Sequence, residues 1–152
     1  MLIKTHLVIT LFFVLLFVSF VKLPLLFLVI ALLATYIPDI DSKYSKIGHH
    51  FFLRPLQWFA KHRGFVHSFT FLILVTLGLV LFFPVVSLAF FLGYSSHLIA
   101  DSFTVEGIKP FYPSKKVCCG SIRTGSFSET NIFIVFLLMD LVLFVMKSSS
   151  IF

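Results

Sequence analysis

The sequence predicts an all-α, polytopic membrane protein with about five membrane segments, arranged as two hairpins and a final helix. Of its 152 residues, 59% are hydrophobic and only 12% are charged. So few charges cannot cover a surface that faces water, whereas a surface that faces lipid needs almost none. The apolar residues also lie in long runs, which prolines and polar turn segments divide. We expect residues 1–152 to form a single integral membrane domain.

The first apolar run, residues 7–37, is too long for one ordinary span, because a continuous helix would measure about 45 Å. Lys22 and Pro24 interrupt the run near its middle. Proline removes a backbone donor, and the residue before a proline avoids helical geometry, so a turn is expected there. We therefore predict one helix over residues 7–21 and a second over residues 24–36.

This first hairpin decides where the two ends of the run lie. Each predicted helix is about 20 Å long, which is short of the roughly 30 Å hydrocarbon core of a bilayer. A single tilted helix is therefore the alternative. A hairpin would bring His6 and Asp39 to one face, with Thr5 as the cap of the first helix, whereas a single helix would place them on opposite faces.

The remaining elements follow from the same breaks in hydropathy. We predict an interfacial stretch of polar and aromatic side chains over residues 38–64. A second hairpin follows, with helices over residues 65–83 and 85–100 on either side of Pro84. Residues 101–130 are expected to form a loop, because they include several Gly and Pro residues, and residues 131–146 to form the last span.

The basic residues divide unequally between the two faces of this topology. Ten of the twelve Lys and Arg residues share one face, and only Lys22 and Lys147 lie on the other. This bias predicts that the basic face is cytoplasmic and that the protein is a multi-pass protein of the inner (cytoplasmic) cell membrane. Topology thereby accounts for the net charge of +6, so no nucleic-acid partner is expected.

Seven ionisable side chains are candidate metal ligands. Six of them flank the apolar runs at the basic face, namely His6, Asp39, Asp41, His67, His97 and Asp101, and the seventh, His62, lies in the polar loop. Apolar spans tolerate ionisable residues poorly, so a collection of them indicates a functional site. We predict a metal site where several helices end at one membrane face.

His97 and Asp101 are the strongest pair of candidate ligands, because residues four apart share one face of a helix. Imidazole and carboxylate ligands suit zinc best, and also manganese or iron, and we expect one or two ions. The alternative is an Asp that caps the helix beside a histidine. His62 and His67 are five residues apart, so on one helix their side chains would point about 140° apart and could not both bind the metal. We expect His67 to be the ligand and His62 to lie near the metal or the substrate. Both would ligate only if Gly64 interrupts the helix.

Asp39 and Asp41 are two residues apart, a spacing that turns their side chains away from each other in a helix or strand. We expect one to bind the metal and the other to orient a histidine or a second ion. The alternative is an ordinary carboxylate-rich turn after Pro38. Arg63 and Arg123 are candidate anion-binding residues, because guanidinium groups match phosphate oxygens, although both also fit a role in topology alone.

Three further polar residues stand apart from these candidates. Cys118 and Cys119 are adjacent and no CxxC pair exists, so we expect loop thiols in a reducing compartment rather than a thiolate zinc site. Asp140 lies inside the last predicted span, where we expect it to pair with a neighbouring helix.

These motifs together resemble the YdjM-like family of membrane-bound, predicted metal-dependent hydrolases. The matching stretches are Thr5-His6, Pro38-Asp39-Ile40-Asp41, His62-Arg63-Gly64 with His67-Ser68, residues 93–102 from Gly93 through His97 and Asp101, Gly107 with Lys109-Pro110 and Pro113, and Arg123-Thr124-Gly125-Ser126 with Glu129. They extend from residue 5 to residue 129, which is most of the chain.

A more distant similarity is to zinc-dependent phospholipase C and the related single-strand nucleases. In this sequence their order of ligands falls on His6, Asp39, His67, His97 and Asp101. The later His-x-x-x-Glu pair of those enzymes has no counterpart, because no histidine follows Asp101. The resemblance therefore implies phosphoester hydrolysis with one or two ions rather than a cluster of three.

The sequence and the resemblance together predict a membrane-embedded, metal-dependent hydrolase. Its expected partners are membrane lipids and a lipid or amphiphilic phosphoester, which metal-activated water would attack. Asp39 or Asp41 would take the proton from that water, and Arg63 or Arg123 would stabilise charge on the phosphoryl oxygens. Two alternatives are a metal or proton transporter, whose site would lie near the midplane, and an interaction protein in which the metal only ties the hairpins together.

Overall fold

The computed structural model describes residues 1–41 and 64–149 of the chain, except for the side chains of residues 40, 41 and 149. Five α-helices are described: α1 (Ile3–Phe17), α2 (Pro24–Tyr36), α3 (Phe69–Phe82), α4 (Pro84–Ser102) and α5 (Phe127–Ser149). Short 3₁₀ turns, Val18–Phe20 and Ile37–Asp41, follow α1 and α2. The predicted all-α class is confirmed.

Both predicted hairpins form at their prolines. Pro24 and Pro84 begin α2 and α4, where a missing backbone N–H removes no intrahelical hydrogen bond. The residues before them, Leu23 and Phe83, have non-helical backbone angles (ψ 76° and 62°), so the chain reverses at both positions. The single tilted helix over residues 7–37 is therefore wrong, and α1 and α2 are separate.

The start of α1 differs from the prediction. The helix begins at Ile3, its N-cap is Leu2, and Thr5 lies within the first turn, so Thr5 is not the cap. The reason is a long-range acceptor: Glu129 accepts hydrogen bonds from the Leu2 backbone N–H and the Thr5 hydroxyl. A carboxylate supplied by α5 thus satisfies helix-terminal donors that a local cap would otherwise bind.

Helix α4 lies at the centre of the bundle. It packs against α1, α2 and α3, while α5 packs mainly against α1. One apolar cluster joins α2, α3 and α4 through Ala34, Leu72 and Tyr94, and a second joins α1, α2 and α4 through Val14 and Ala31. The central position of α4 explains why it carries the richest set of buried polar side chains.

Three helical segments are long and apolar enough to cross a bilayer: Ile3–Phe20, Pro84–Ser102 and Phe127–Ser148. The segments Pro24–Asp39 and Phe69–Phe82 are apolar but shorter. The outward faces of α3 and α5 are largely exposed leucine, valine and phenylalanine, as lipid contact requires. These features fit the predicted polytopic membrane protein with five apolar segments.

The predicted loop after α4 is shorter than expected at both ends, because α4 continues to Ser102 and α5 already begins at Phe127. Between them the chain is held by two isolated bridges, Thr104 with Ile122 and Ile108 with Cys118. This connection returns the chain to the same end of the bundle, where α5 begins beside the start of α1.

Candidate metal centre

Four separate parts of the chain bring candidate ligands to one end of the bundle. His6 lies near the start of α1, Asp39 in the turn after α2, His67 just before α3, and His97 with Asp101 at the end of α4. Two antiparallel hairpins place the start of the first helix and the end of the second at the same end. The predicted convergence of these five side chains is therefore present in the structure.

The Asp101 carboxylate lies at the centre of the cluster. Its Oδ1 is 3.3 Å from Nε2 of His6, and its Oδ2 is 3.3 Å from Nε2 of His67 and 3.7 Å from Nε2 of His97. The amino group of Met1 also donates to Oδ1 at 2.6 Å. Each oxygen of Asp101 thus faces a different part of the histidine cluster.

Asp39 completes the set from the opposite side of His97, with its Oδ1 3.7 Å from Nε2 of His97. The ligand atoms form two overlapping groups, His6 with His97 and Asp101, and Asp39 with His67 and His97, each contained within 4.8 Å. The three histidines and Asp101 are buried, whereas the Asp39 side chain is 24% exposed. Asp39 therefore marks the side from which the cluster is reached.

Backbone carbonyl groups orient two of the imidazole rings. Nδ1 of His97 lies 2.8 Å from the Thr35 carbonyl oxygen, and Nδ1 of His67 lies 3.0 Å from the Pro38 carbonyl oxygen. A carbonyl oxygen only accepts hydrogen bonds, so Nδ1 of both rings must carry a proton. With the proton on Nδ1, Nε2 is the nitrogen that faces the cluster and is available to a metal ion, as in metal-binding histidines.

The Nε2 atoms of the histidines face carboxylate oxygens. Nε2 of His67 lies within hydrogen-bond distance of Asp101, whereas Nε2 of His97 lies 3.7 Å from both Asp101 and Asp39, which is too far for a hydrogen bond. Among the described residues, Nε2 of His97 and both ring nitrogens of His6 have no hydrogen-bond partner. A cation bound between His6, His97 and Asp101 would satisfy one nitrogen of His6 and Nε2 of His97 together.

Protons alone are a poor solution to this arrangement. The His6 and His97 rings stack with centroids 3.9 Å apart and an interplanar angle of 8°. The His67 ring lies 5.3 Å from the His97 ring. Protonating all three rings would place positive charges in contact in a buried site, which is costly, whereas one divalent ion can accept a lone pair from each ring.

Glu129 anchors the helix that carries His6. In addition to the hydrogen bonds from the Leu2 N–H and the Thr5 hydroxyl, the buried Glu129 carboxylate accepts one from the Gly125 backbone N–H at 2.6 Å. Its carboxylate thereby ties the start of α1 to the start of α5. This role was not predicted from the sequence, where Glu129 appeared only among the residues of the family resemblance.

A hydroxyl network supports the cluster from below. The Thr10 hydroxyl contacts the hydroxyl groups of Thr35 and Ser96 at 2.8 and 2.6 Å, and Ser96 also donates to the Gly93 carbonyl. Thr35 is the residue whose carbonyl orients His97. The network therefore links α1, α2 and α4 beside the histidine cluster. It was not predicted from the sequence.

The structure does not test every predicted site residue. His62, Arg63 and the side chain of Asp41 lie outside the described part of the structure. The roles of these three residues stay predictions. Arg123 is exposed in the turn that precedes α5, at the same end of the bundle as the cluster. Cys118 and Cys119 are exposed, free thiols in the loop after α4, as expected.

Comparison with known proteins identifies the family of this chain. A model of a family described as YdjM inner membrane protein matches residues 1–151. The chain belongs to the YdjM inner membrane protein family. Among relatives of this YdjM-family chain, the uncharacterized protein YvsG of Bacillus subtilis is 34% identical over 112 residues, which are 70% of each chain. The YdjM inner membrane proteins of Escherichia coli and Shigella flexneri are each 34% identical over 99 residues, 56% of this chain and 48% of theirs.

The chain therefore spans about half the length of the two YdjM proteins that it matches. No solved structure matches it. Membership of the YdjM family and the apolar helices together identify the chain as a membrane protein. The more distant similarity to zinc-dependent phospholipase C stays a prediction.

Proposed function

We propose that this protein is a membrane-embedded, metal-dependent hydrolase whose cluster faces the cytoplasm and acts on a phosphoester of a lipid or lipid-linked substrate. The observation that supports this most strongly is the convergence of two overlapping groups of metal-ligand atoms, His6 with His97 and Asp101, and Asp39 with His67 and His97, each contained within 4.8 Å. Nε2 of His97, which belongs to both groups, is buried without a hydrogen-bond partner among the described residues, and a bound cation would satisfy it.

The described ligand atoms lie close enough together to share a divalent ion. Oxygens of Asp101 lie 3.3 Å from Nε2 of His6 and of His67 and 3.7 Å from Nε2 of His97. Imidazole and carboxylate are ligands that zinc prefers. Manganese or iron would accept the same ligand types. Since His97 has only Nε2 available, it can serve one ion, and a second ion would draw on Asp39.

When bound, the ion would act as a Lewis acid and lower the pKa of water toward about 7. The protein's own residues supply the remaining steps. Asp39, at 24% exposure against 3% for the Asp101 side chain, is the more exposed of the two carboxylates described in the cluster and would take the proton from water. Arg123, with Arg63 as the further candidate, would stabilise negative charge on the phosphoryl oxygens.

The loop after α4 supports an amphiphilic substrate. It exposes Phe103, Phe111 and Val117 beside Lys115 and Lys116, at the end of the bundle where the cluster lies. Apolar and basic side chains in this combination favour the interface of an anionic lipid surface. A phosphoester that is part of a lipid would thereby reach the cluster without leaving the membrane.

The test combines metal content with turnover in purified full-length protein. His97→Ala and Asp101→Asn should lose the bound metal found by elemental analysis in the parent, because each removes a ligand. Asp140→Asn is the matched control, since it makes the same change in a buried carboxylate outside the cluster. The parent should hydrolyse at least one member of a panel of phospholipids and aryl phosphates, and the two ligand variants should not.

Two results would contradict the proposal in different ways. Parental metal content in both ligand variants would show that the cluster is not the metal site. Full metal content in the parent without turnover on any substrate of the panel would favour the interaction protein, in which removing the metal only lowers thermal stability.

A transporter is the second candidate function, and Asp140 is the observation that favours it. This carboxylate is buried within α5, deep in an apolar segment, as transport sites often are. Metal or proton flux into liposomes that depends on Asp140, without phosphoester turnover, would replace hydrolysis as the function.

A further inference from the structure

A large apolar groove lies at the end of the bundle away from the histidine cluster. It has a volume of about 800 Å³ and lies between the second half of α1, the first half of α2 and the second half of α5. Leu11, Leu15, Leu28, Leu141 and Phe144 are typical of its walls. Its size and apolar lining are those of sites that bind small hydrophobic molecules.

Among the described residues, Asp140 is the one polar residue that lines this groove. It is only 4% exposed, and neither carboxylate oxygen has a hydrogen-bond partner among the described residues. The predicted pairing of Asp140 with a neighbouring helix is therefore absent from the described part of the chain. By contrast, Glu129 of the same helix accepts three hydrogen bonds and clearly serves the fold.

The position of Asp140 makes an unpartnered carboxylate especially costly. It follows Glu129 by eleven residues, which is about 16 Å along the helix axis, so it lies well inside the apolar segment. A polar group in hydrocarbon needs a partner, and a carboxylate is best satisfied by a cation. No Lys, Arg or His residue lines the groove among the described residues.

We propose that this groove binds a lipophilic amine, with the apolar body of the ligand against the leucine walls and its ammonium group on the Asp140 carboxylate. Complementary charge selects an amine over a neutral lipid, because an ammonium group forms an ion pair with the carboxylate, whereas a neutral hydroxyl donates a hydrogen bond but leaves the negative charge uncompensated. The exposed outer rim, including Leu25 and Leu141, leaves the groove open toward the bilayer. The ligand therefore enters laterally from the lipid.

This site is independent of the proposed hydrolase. The groove begins at Leu11 on α1, five residues beyond His6, and extends toward the turn between α1 and α2. Loss of the amine site should therefore leave metal content unchanged, and loss of metal should leave amine binding unchanged.

The experiment measures binding of a fluorescent long-chain primary amine and of the matching alcohol to the full-length protein in nanodiscs. The parent should bind the amine at least about tenfold more tightly than the alcohol, because the ammonium charge adds to the hydrogen bond that both probes can donate. Asp140→Asn should reduce this ratio to about one. Leu141→Trp, which fills the groove but keeps Asp140, should weaken both ligands together.

Thr76→Val is the control, because it removes a different unpartnered polar atom, in α3, which does not line the groove. It should bind both probes as the parent does. Equal binding of amine and alcohol by the parent would overturn the proposal, as would an unchanged ratio in Asp140→Asn. Failure of the probes to bind, together with cross-links between α5 helices of two copies, would show instead that a second copy occupies the groove.

Discussion

Replacing Gly93 by alanine should destabilise the protein, because α4 crosses α2 there at backbone contact. A Cβ at this position would overlap the Ala31 carbonyl group and lie 3.0 Å from the Ala31 Cα. These atoms belong to a helix backbone and cannot rotate away, so the overpacking cost should be near the upper end of the usual range, about 3 kcal/mol. Alanine regains about 1 kcal/mol of helix propensity, which leaves a net loss of about 2 kcal/mol.

Gly78→Ala provides the matched control within the same fold. Gly78 lies in α3, and a Cβ there would meet nothing within 4 Å. This variant should be as stable as the parent or gain up to about 1 kcal/mol. A loss of about 2 kcal/mol in Gly93→Ala corresponds to a fall in Tm of roughly 4–8 °C for a chain of this size.

Thermal unfolding in detergent, followed by intrinsic fluorescence, measures the difference between the two variants. Gly93→Ala should also bind metal more weakly, because separating α2 from α4 moves Asp39 and the Thr35 carbonyl away from His97. Equal Tm values for the two alanine variants would refute the close approach of α2 and α4, and with it the positioning of the cluster.

Three further variants test how the ends of the helices are held. Glu129→Gln should lower Tm by an amount equivalent to about 1–3 kcal/mol, since the Gly125 and Leu2 donors lose a charged acceptor. Ser68→Ala removes the side-chain acceptor that caps α3 and should cost about 1 kcal/mol in thermal unfolding. Tyr94→Phe leaves the half-buried Val66 carbonyl, next to His67, without its hydroxyl donor and should cost about 1 kcal/mol in thermal unfolding, with weaker metal binding by titration. Parental values would contradict that role.

Local sequence signals predicted the helices and their pairing well. Pro24 and Pro84 marked the two reversals, because a proline is accommodated only at a helix start. The spacing of His97 and Asp101 likewise placed both on one face of α4. The starts of α1 and α5 were predicted about four residues late, because hydropathy does not detect polar first turns that tertiary contacts stabilise.

The contacts that hold the cluster in place could not be predicted from local sequence signals. The carbonyl groups of Thr35 and Pro38 that orient His97 and His67 have no side-chain signature. Glu129 lies more than 120 residues from the donors of Leu2 and Thr5, so no local pattern links them. Asp140 was noted in the sequence, but its groove exists only because α1, α2 and α5 meet around it.

The sequence by itself determined that the chain is helical, belongs in a membrane, and reverses direction at two prolines, because hydropathy and backbone sterics are properties of neighbouring residues. Only the tertiary structure decided which nitrogen of each imidazole enters the cluster and which carboxylates it meets. Those outcomes depend on carbonyl and carboxylate groups brought from distant helices, and their directions are set by packing rather than by sequence spacing.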